Sequence, residues 1–296
     1  MGPIWCVILS WNGREETLGC LETVAALRRR PDRVVVIDNG SQDELGPALK
    51  RRFPWVMYRH LPENVGFAAG MRLGMAAAVQ QGAEYIWTLN NDTRLDPDCL
   101  DRLLEALAAE PRAAAVAPKI LLADPPGRIY FRGGVFSRIT LKPLHPGENR
   151  ADPEPGDAEV RRMDFLNGCA PFFRVRALAE TGGYTGGFWA YFEDADLSLR
   201  LRPRANAGPG LRGTVSPFKW YLVTRNRLWL LRMHGTIIQK MLGGAWFLAW
   251  SLFAGVLLAA RGRPQKSLGL VRGLWDGLFR AFPITGKPFD KAGDMG

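Results

Sequence analysis

The sequence has only four cysteines, and they lie far apart: Cys6, Cys20, Cys99 and Cys169. They form no CxxC pair, and none stands with a histidine at the spacing of a zinc site. A disulfide framework is therefore not expected, and a reduced, cytosolic setting fits best. The N-terminus has an apolar run of only about eight residues without a basic segment before it, which predicts a first strand rather than a signal peptide.

Acidic residues are also scarce: 29 Asp and Glu stand against 39 Lys and Arg, for a formal charge of +10. This excess implies an anionic partner, which could be nucleic acid, a nucleotide-bearing substrate or an acidic lipid surface. The basic residues cluster around an apolar C-terminal tail, and the aromatic residues sit mainly within apolar runs. In a nucleic-acid-binding surface, by contrast, basic and aromatic residues alternate along the same strands. We therefore expect no nucleic-acid partner.

Four short apolar runs have the pattern of buried strands: 4–10, 33–37, 56–60 and 85–89. A helical pattern follows each run, and Asn12 is the expected cap of the first helix. This alternation predicts an α/β fold with a mostly parallel sheet and helices on both faces. Ligands of such sheets bind beyond the carboxyl ends of the strands. Asp38 and the triplet 90–92 follow two of the runs, so we expect both to open onto one crevice.

Carboxylates recur at three of the predicted strand or helix ends: at Asp38, at Asp92 and in the segment 193–196. Each alone is better explained as a helix cap, because Asp and Glu favour helix N-termini. Their ordered recurrence favours chemistry on a nucleotide diphosphate. One carboxylate would recognise the base or ribose, one would hold a divalent cation, and one would take a proton from an attacking hydroxyl.

Four segments resemble, in order, glycosyltransferase family 2, and in particular its rhamnosyltransferase-like branch. They are VVVIDNGSQD (34–43), NVGFAAGMRLG (64–74), YIWTLNNDT (85–93) and GGYTGGFWAYFEDADLSLRLR (182–202). The resemblance implies a GT-A fold, which is a Rossmann-like arrangement, and an inverting transfer of a sugar from a nucleotide-diphosphate donor. It favours rhamnose as the sugar and a glycan or polyprenyl-linked acceptor in cell-surface polysaccharide synthesis.

The resemblance also implies roles for individual residues. Asp194 is the expected general base, with Glu193 beside it, and Asp92 is the expected ligand of Mg²⁺ or Mn²⁺. Asp196 and Trp189 are expected to shape the acceptor site. Asp38 is expected to bond the nucleobase. The nucleotide-sugar-binding residues implied are Ser10, Asp38, Asn64, Gly66, Arg72, Asn90 and Asn91.

Two segments depart from the family pattern. Met71 and Arg72 stand where the family often has two asparagines, and Arg72 could contact a phosphate or merely be solvated. In 203–215 the chain lacks the family's strand and its Pro-x-Ala-x-x-x-His segment, and His234 is not an obvious substitute. A deletion or altered reading frame would explain this. An alternative therefore stays open: a catalytically impaired sugar-nucleotide-binding or scaffold protein.

The composition changes near residue 205, which predicts a catalytic domain over 1–205 and a helical, membrane-associating region over 206–296. Residues 241–260 form an uncharged run that is long enough to cross a bilayer core, although a buried core helix has the same pattern. Basic residues flank both ends, so a shallow or re-entrant helix on the cytoplasmic face fits better than a full span. An amphipathic stripe over 270–282 suits an anionic surface. No pattern indicates an oligomeric state.

Overall fold

The computed structural model describes residues 2–152, 160–201 and 216–282. Its central sheet has six strands: β1 (Ile4–Ser10), β2 (Arg33–Asp38), β3 (Met57–His60), β4 (Tyr85–Asn90), β5 (Ala115–Val116) and β10 (Phe172–Arg174). They run in the order β3-β2-β1-β4-β10-β5. The first four are mutually parallel, and β10 is antiparallel to β4 and β5. The prediction of a mostly parallel sheet is confirmed.

Six helices lie on the two faces of this sheet. They are α1 (Arg14–Ala25), α2 (Leu45–Arg52), α3 (Phe67–Gln80), α4 (Cys99–Ala109), α5 (Val175–Thr181) and α6 (Glu193–Leu201). One face packs against α1, α2 and α4 through side chains such as Leu18 and Leu104. The other packs against α3, α5 and α6 through Met71, Met75 and Leu197. Every residue of β1 is buried, because β1 lies in the middle of the sheet and is covered on both sides.

The expected cap of α1 at Asn12 is wrong. The helix begins at Arg14 after Gly13, and no side chain caps it. Asn12 has a φ of 48°, a left-handed conformation that Asn tolerates better than most residues. Its Oδ1 accepts a hydrogen bond from Gln42 N at 3.0 Å, and its backbone N donates to Ser41 Oγ at 2.8 Å. Asn12 therefore joins the loops that follow β1 and β2.

An insert of short strands lies between β5 and β10. In it β6 (Ile120–Leu121) pairs with β7 (Ile129–Phe131), and β8 (Val135–Phe136) pairs with β9 (Pro143–Leu144), both antiparallel. A third apolar cluster, which includes Phe131 of the insert, packs it against α6 and against Leu230 and Leu231 of the first C-terminal helix. The insert thus lies against the first turns of α6.

Three C-terminal helices follow: α7 (Pro217–His234), α8 (Ile237–Ala260) and α9 (Pro264–Phe279). Ser216 caps α7, and Thr236 and Gln239 form a capping box on α8. Helix α9 approaches α7 closely through glycines. A Cβ at Gly269 or Gly273 would stand 2.4–2.5 Å from a carbonyl oxygen of α7, so only glycine fits at this contact.

Within the described part of the chain, α8 alone is long and apolar enough to cross a membrane, and 33% of its most apolar stretch is buried. It begins four residues before the predicted run. The predicted stripe on α9 divides: Leu270 and Leu274 are buried against the other helices, whereas Val271 and Trp275 are exposed. The predicted domain boundary near 205 and the atypical segment 203–215 lie outside the described residues.

Candidate active site

The candidate site lies at the carboxyl ends of three neighbouring parallel strands. Ser10 at the end of β1 is in register with Asp38 at the end of β2, and Leu9 is in register with Asn90 at the end of β4. Parallel strands that end at one edge bring the loops that follow them together. The structure therefore brings the polar residues after β1, β2 and β4 to one edge of the sheet. The candidate crevice is the region beyond this edge.

Asp38 is almost fully buried at this edge. Its Oδ1 accepts a hydrogen bond from Ser41 N at 2.9 Å, and its Oδ2 accepts one from the Tyr58 hydroxyl at 2.6 Å. The His60 ring lies 3.2 Å from the same Oδ2. Burial acts to raise the pKa of Asp38, but these hydrogen bonds outweigh it and hold the pKa below its ordinary value. Asp38 is therefore a charged hydrogen-bond acceptor at neutral pH.

Asn39, which sequence reasoning did not single out, holds the loop before α3. Its Nδ2 donates to Asn64 Oδ1 at 2.9 Å and to Gly66 O at 3.3 Å, and its Oδ1 accepts from Val65 N at 3.0 Å. The side chain of Asn64 also accepts from Gly66 N at 2.8 Å. Asn39 and Asn64 thus fix the loop that the family resemblance places along the nucleoside. The only sequence signal for Asn39 is its position directly after a buried strand.

Gly66 has a φ of 87°, which favours glycine. A Cβ at this position would stand 2.7 Å from the Trp189 ring and 2.9 Å from the Trp189 carbonyl oxygen. That carbonyl accepts a hydrogen bond from Ala68 N at 3.0 Å, at the start of α3. Trp189 therefore packs directly on the predicted donor loop, and the predicted donor and acceptor residues meet at Gly66.

Three other predicted donor residues make contacts within the protein. Ser10 is fully buried, and its Oγ accepts from Thr17 Oγ1 at 2.8 Å. Asn91 Nδ2 donates to the same Thr17 hydroxyl at 3.0 Å. Arg72 Nε donates to Gly182 O at 3.2 Å. These contacts give each residue a part in shaping the crevice, and direct contact of any of them with a donor stays a prediction.

Asp92 is exposed in the loop after β4, and Asn90 Oδ1 is buried without a hydrogen-bond partner. Among the described residues no three His, Cys, Asp or Glu side chains form a group that could hold a metal ion. The oxygen donors of Asp92 and Asn90 still fit Mg²⁺ or Mn²⁺. Such ions commonly take one or two protein carboxylates and complete their shell with phosphate oxygens and water.

Glu193 and Asp194 begin α6. Asp194 accepts hydrogen bonds from Gly168 N at 3.1 Å and from Ala195 N at 2.7 Å, and burial raises its pKa to about 6. Glu193 is only 6% exposed, and its Oε2 has no hydrogen-bond partner. Burial, and then the charge of Asp194, raise the pKa of Glu193 well above its ordinary value. Because backbone N–H groups stabilise the charged form of Asp194, Asp194 ionises more readily than Glu193 and is the member of the pair suited to accept a proton near neutral pH.

Tyr130 of the insert lies near both Asp92 and Asp194. Burial raises the pKa of its hydroxyl, and the charges of Cys169, Asp92 and Asp194 add to the effect. The insert therefore contributes a phenol to the region between the predicted metal ligand and the predicted base. No pattern in the sequence marks Tyr130, because it stands in a segment of short, irregular strands.

Asp196 is fully buried, and its contacts are all internal. Its Oδ2 accepts from Thr185 Oγ1 at 2.8 Å and from Arg200 Nη2 at 2.7 Å. Its Oδ1 lies 2.8 Å from His234 Nε2 at the end of α7. Despite burial, which acts to raise it, these contacts hold the pKa of Asp196 below its ordinary value. Asp196 thus ties α6 to α7, and this position does not favour the predicted contact with an acceptor. Trp189, by contrast, is 37% exposed beside the crevice.

Comparison with known proteins gives the family. The model of "Glycosyl transferase family 2" matches residues 5–158. N-acetylglucosaminyl-diphospho-decaprenol L-rhamnosyltransferase of Mycobacterium tuberculosis is 27% identical over 199 residues, which cover 61% of this chain and 64% of that protein. Galactofuranosyltransferase GlfT1 of Mycolicibacterium smegmatis is 31% identical over 173 residues, or 57% of this chain and 53% of that protein. The chain thus matches less than two thirds of either relative.

Solved structures show the same fold. Staphylococcus aureus TarS 1–349 in complex with UDP-GlcNAc has a TM-score of 0.59 at 14% identity, with 93% of this chain and 80% of that chain covered. Mannosyltransferase PcManGT from Pyrobaculum calidifontis in complex with GDP-Man and Mn²⁺ has a TM-score of 0.56 at 13% identity, with 93% and 87% covered. The fold is GT-A-like, and with more than half of its length matched by the family model, the chain belongs to glycosyltransferase family 2.

Proposed function

We propose that the chain is an inverting glycosyltransferase that moves a sugar from a nucleotide-diphosphate donor to a hydroxyl of a glycan or lipid-linked acceptor in cell-surface polysaccharide synthesis. The observation that carries the proposal is the crevice at the ends of β1, β2 and β4, beside which Asp194 lies with a raised pKa. A buried carboxylate with such a pKa is suited to proton transfer. The similarity to the L-rhamnosyltransferase of Mycobacterium tuberculosis favours rhamnose as the sugar.

In this proposal the donor lies along the crevice with its base near Asp38. The exposed indole of Trp11, which directly follows β1, offers a face for stacking a nucleobase. The loop held by Asn39 lies along the nucleoside, and the diphosphate reaches Asp92. A Mg²⁺ or Mn²⁺ ion held by Asp92 and Asn90 would neutralise the negative charge that grows on the departing diphosphate.

Asp194 then acts on the acceptor. Its carboxylate takes the proton of the attacking hydroxyl, the hydroxyl oxygen bonds to the anomeric carbon, and the bond from that carbon to the diphosphate breaks. A single displacement from the opposite side inverts the configuration and needs no covalent sugar on the protein. Glu193 is buried without a partner for Oε2, and its raised pKa favours the protonated form, which places less negative charge beside the base.

The proposal is tested by incubating the chain with a panel of sugar nucleotides, divalent cation and lipid-linked acceptors, with products identified by mass spectrometry. We expect one donor to be consumed with transfer of its sugar at inverted configuration, and Asp194→Asn protein to serve as the control with strongly reduced activity. Tight binding of a sugar nucleotide without turnover of any donor would instead support the sugar-nucleotide-binding or scaffold alternative.

We also propose that the C-terminal region, 206–296, holds the enzyme on the cytoplasmic face of a membrane. Large apolar side chains of α8 and α9 are exposed, among them Met241, Leu252, Phe253, Val256, Val271 and Trp275. Basic residues stand at the turn between the two helices, as Arg261 and Arg263, and suit anionic lipid. Because α9 returns along α7, the hairpin of α8 and α9 favours a re-entrant or surface position over a full span.

Replacing Phe253 and Val256 together by Glu should move the protein from the membrane to the soluble fraction. These side chains are 67% and 71% exposed, so the fold loses little packing while the membrane face gains two charges. The measurement is flotation with anionic vesicles, with Trp55→Glu as a control at an exposed aromatic that precedes β3, outside the C-terminal helices. High salt alone should not release the unaltered chain, because hydrophobic insertion is not screened. An unaltered chain that stays soluble with vesicles would refute the membrane assignment.

A further inference from the structure

The loop that leads into the base helix has an unusual backbone. Trp189, Tyr191 and Phe192 have φ angles of 64°, 68° and 72°. Bulky L-residues avoid this region, so three such residues within four positions persist only where the surroundings hold them. Glu193 and Asp194 follow immediately, which means that the conformation of this loop sets where α6 begins.

Two neighbouring side chains of α7 hold the loop, and the buried one is Asn226. Arg225 Nη2 donates to Gly187 O at 3.4 Å and to Phe188 O at 3.1 Å. Asn226 is 0% exposed, and its Nδ2 donates to three backbone carbonyls: Phe188 O at 2.8 Å, Ala190 O at 2.9 Å and Tyr191 O at 2.9 Å. Its Oδ1 accepts from Arg225 Nε at 2.8 Å, which fixes the direction of the amide. The amide has two N–H protons for these three carbonyls, so at least one proton is shared, and the oxygen bonds the neighbour on the helix.

The loop contacts both halves of the proposed reaction. On the donor side, the Trp189 carbonyl accepts from Ala68 N, and the ring lies against Gly66. On the other side, the chain passes directly into the base Asp194. Displacing the loop would therefore move the donor loop and let water reach the base at the same time.

We propose that Asn226 is a positioning residue, which holds the loop 188–192 so that the donor and Asp194 are aligned and the base is kept from water. The inference rests on the proposed function for the role of Asp194. Neither Asn226 nor its contacts touch the reacting atoms, so its effect is transmitted through the backbone carbonyls that it binds.

The test replaces Asn226 by Leu, which has a similar shape but no donors and adds no charge. We expect kcat/KM to fall on the order of 10²-fold, as small misplacements of reacting groups can cost this much. We also expect the acid limb of the pH profile, near 6 in the unaltered enzyme, to move to lower pH as water reaches Asp194. Chymotrypsin should newly cleave the intact variant within residues 188–192.

A matched control is Gln239→Met on the neighbouring helix. Gln239 also donates from a side-chain amide to a backbone carbonyl, that of Arg138 at 2.8 Å, but this contact lies outside the loop 188–192. We expect its acid limb and its cleavage pattern to match the unaltered enzyme. If Asn226→Leu fails to fold by circular dichroism, Asn226→Ser, which keeps one donor, takes its place and should show the same shifts in smaller size.

Lower activity of a folded variant with an unmoved acid limb and no cleavage within 188–192 would overturn the proposal, since a purely structural loss changes only the amount of active protein. The protease readout does not depend on sugar transfer. If the unaltered chain transfers no sugar but the variant is cleaved in this loop, the proposed function fails while the hold of Asn226 on the loop stands.

Discussion

Replacing Asp194 by Asn should lower turnover by a factor on the order of 10²–10⁴ and leave donor affinity nearly unchanged. The amide keeps the shape of the carboxylate and can still accept from Gly168 N or Ala195 N, so the start of α6 should stay in place. What it loses is the ability to take a proton. Steady-state kinetics gives the turnover, and calorimetry with the sugar nucleotide gives the donor affinity.

The pH profile separates Asp194 from its neighbour. A general base works only when deprotonated, and the pKa of Asp194 is raised to about 6, so kcat/KM of the unaltered enzyme should fall as pH drops below about 6. The residual activity of the Asp194→Asn enzyme should lack this limb. Near-normal turnover of Asp194→Asn, or a Glu193→Gln enzyme that alone is inactive, would move the role of base elsewhere.

The sheet and the edge that carries the site could be predicted because their signals are local. Short β-branched runs such as 33–37 mark buried strands, and a polar residue directly after such a run must lie at the carboxyl end of a strand. Asp38 and Asn90 follow this rule. Once the strands are parallel, their common edge follows from topology without any knowledge of side-chain contacts.

The contacts that position the base could not be predicted, because they join residues far apart in the chain. Asp196 belongs to an acidic segment that implies chemistry, yet it pairs with His234, which is 38 residues away. Asn226 bonds carbonyls 35–38 residues before it, and a helical pattern gives no sign of which buried amide will do so. In the apolar tail, composition predicted the apolar run of α8. It did not predict that the apolar stripe of α9 divides between buried and exposed side chains.

Replacing Asp92 by Ala should abolish the metal-dependent part of donor binding. Asp92 is exposed at the end of the triplet after β4, and no metal-binding group of three His, Cys, Asp or Glu forms among the residues that the structure describes. A cation there would depend on this one carboxylate and on the diphosphate. Calorimetry with a nucleoside diphosphate should show stronger binding on adding Mg²⁺ or Mn²⁺ for the unaltered chain, and no such gain for Asp92→Ala.

Asp96→Ala is the matched control for this change, because Asp96 is exposed in the same loop but accepts a hydrogen bond from Asp98 N at 2.9 Å. The Asp96→Ala change removes an equal charge from the same loop. A general electrostatic effect would therefore reduce the gain in affinity from the cation in both variants alike. We expect Asp96→Ala to keep the full gain from the cation. Unchanged metal-dependent affinity in Asp92→Ala would show that the metal ion binds with the diphosphate without this carboxylate. The assignment of Asp92 as the metal ligand would then be wrong.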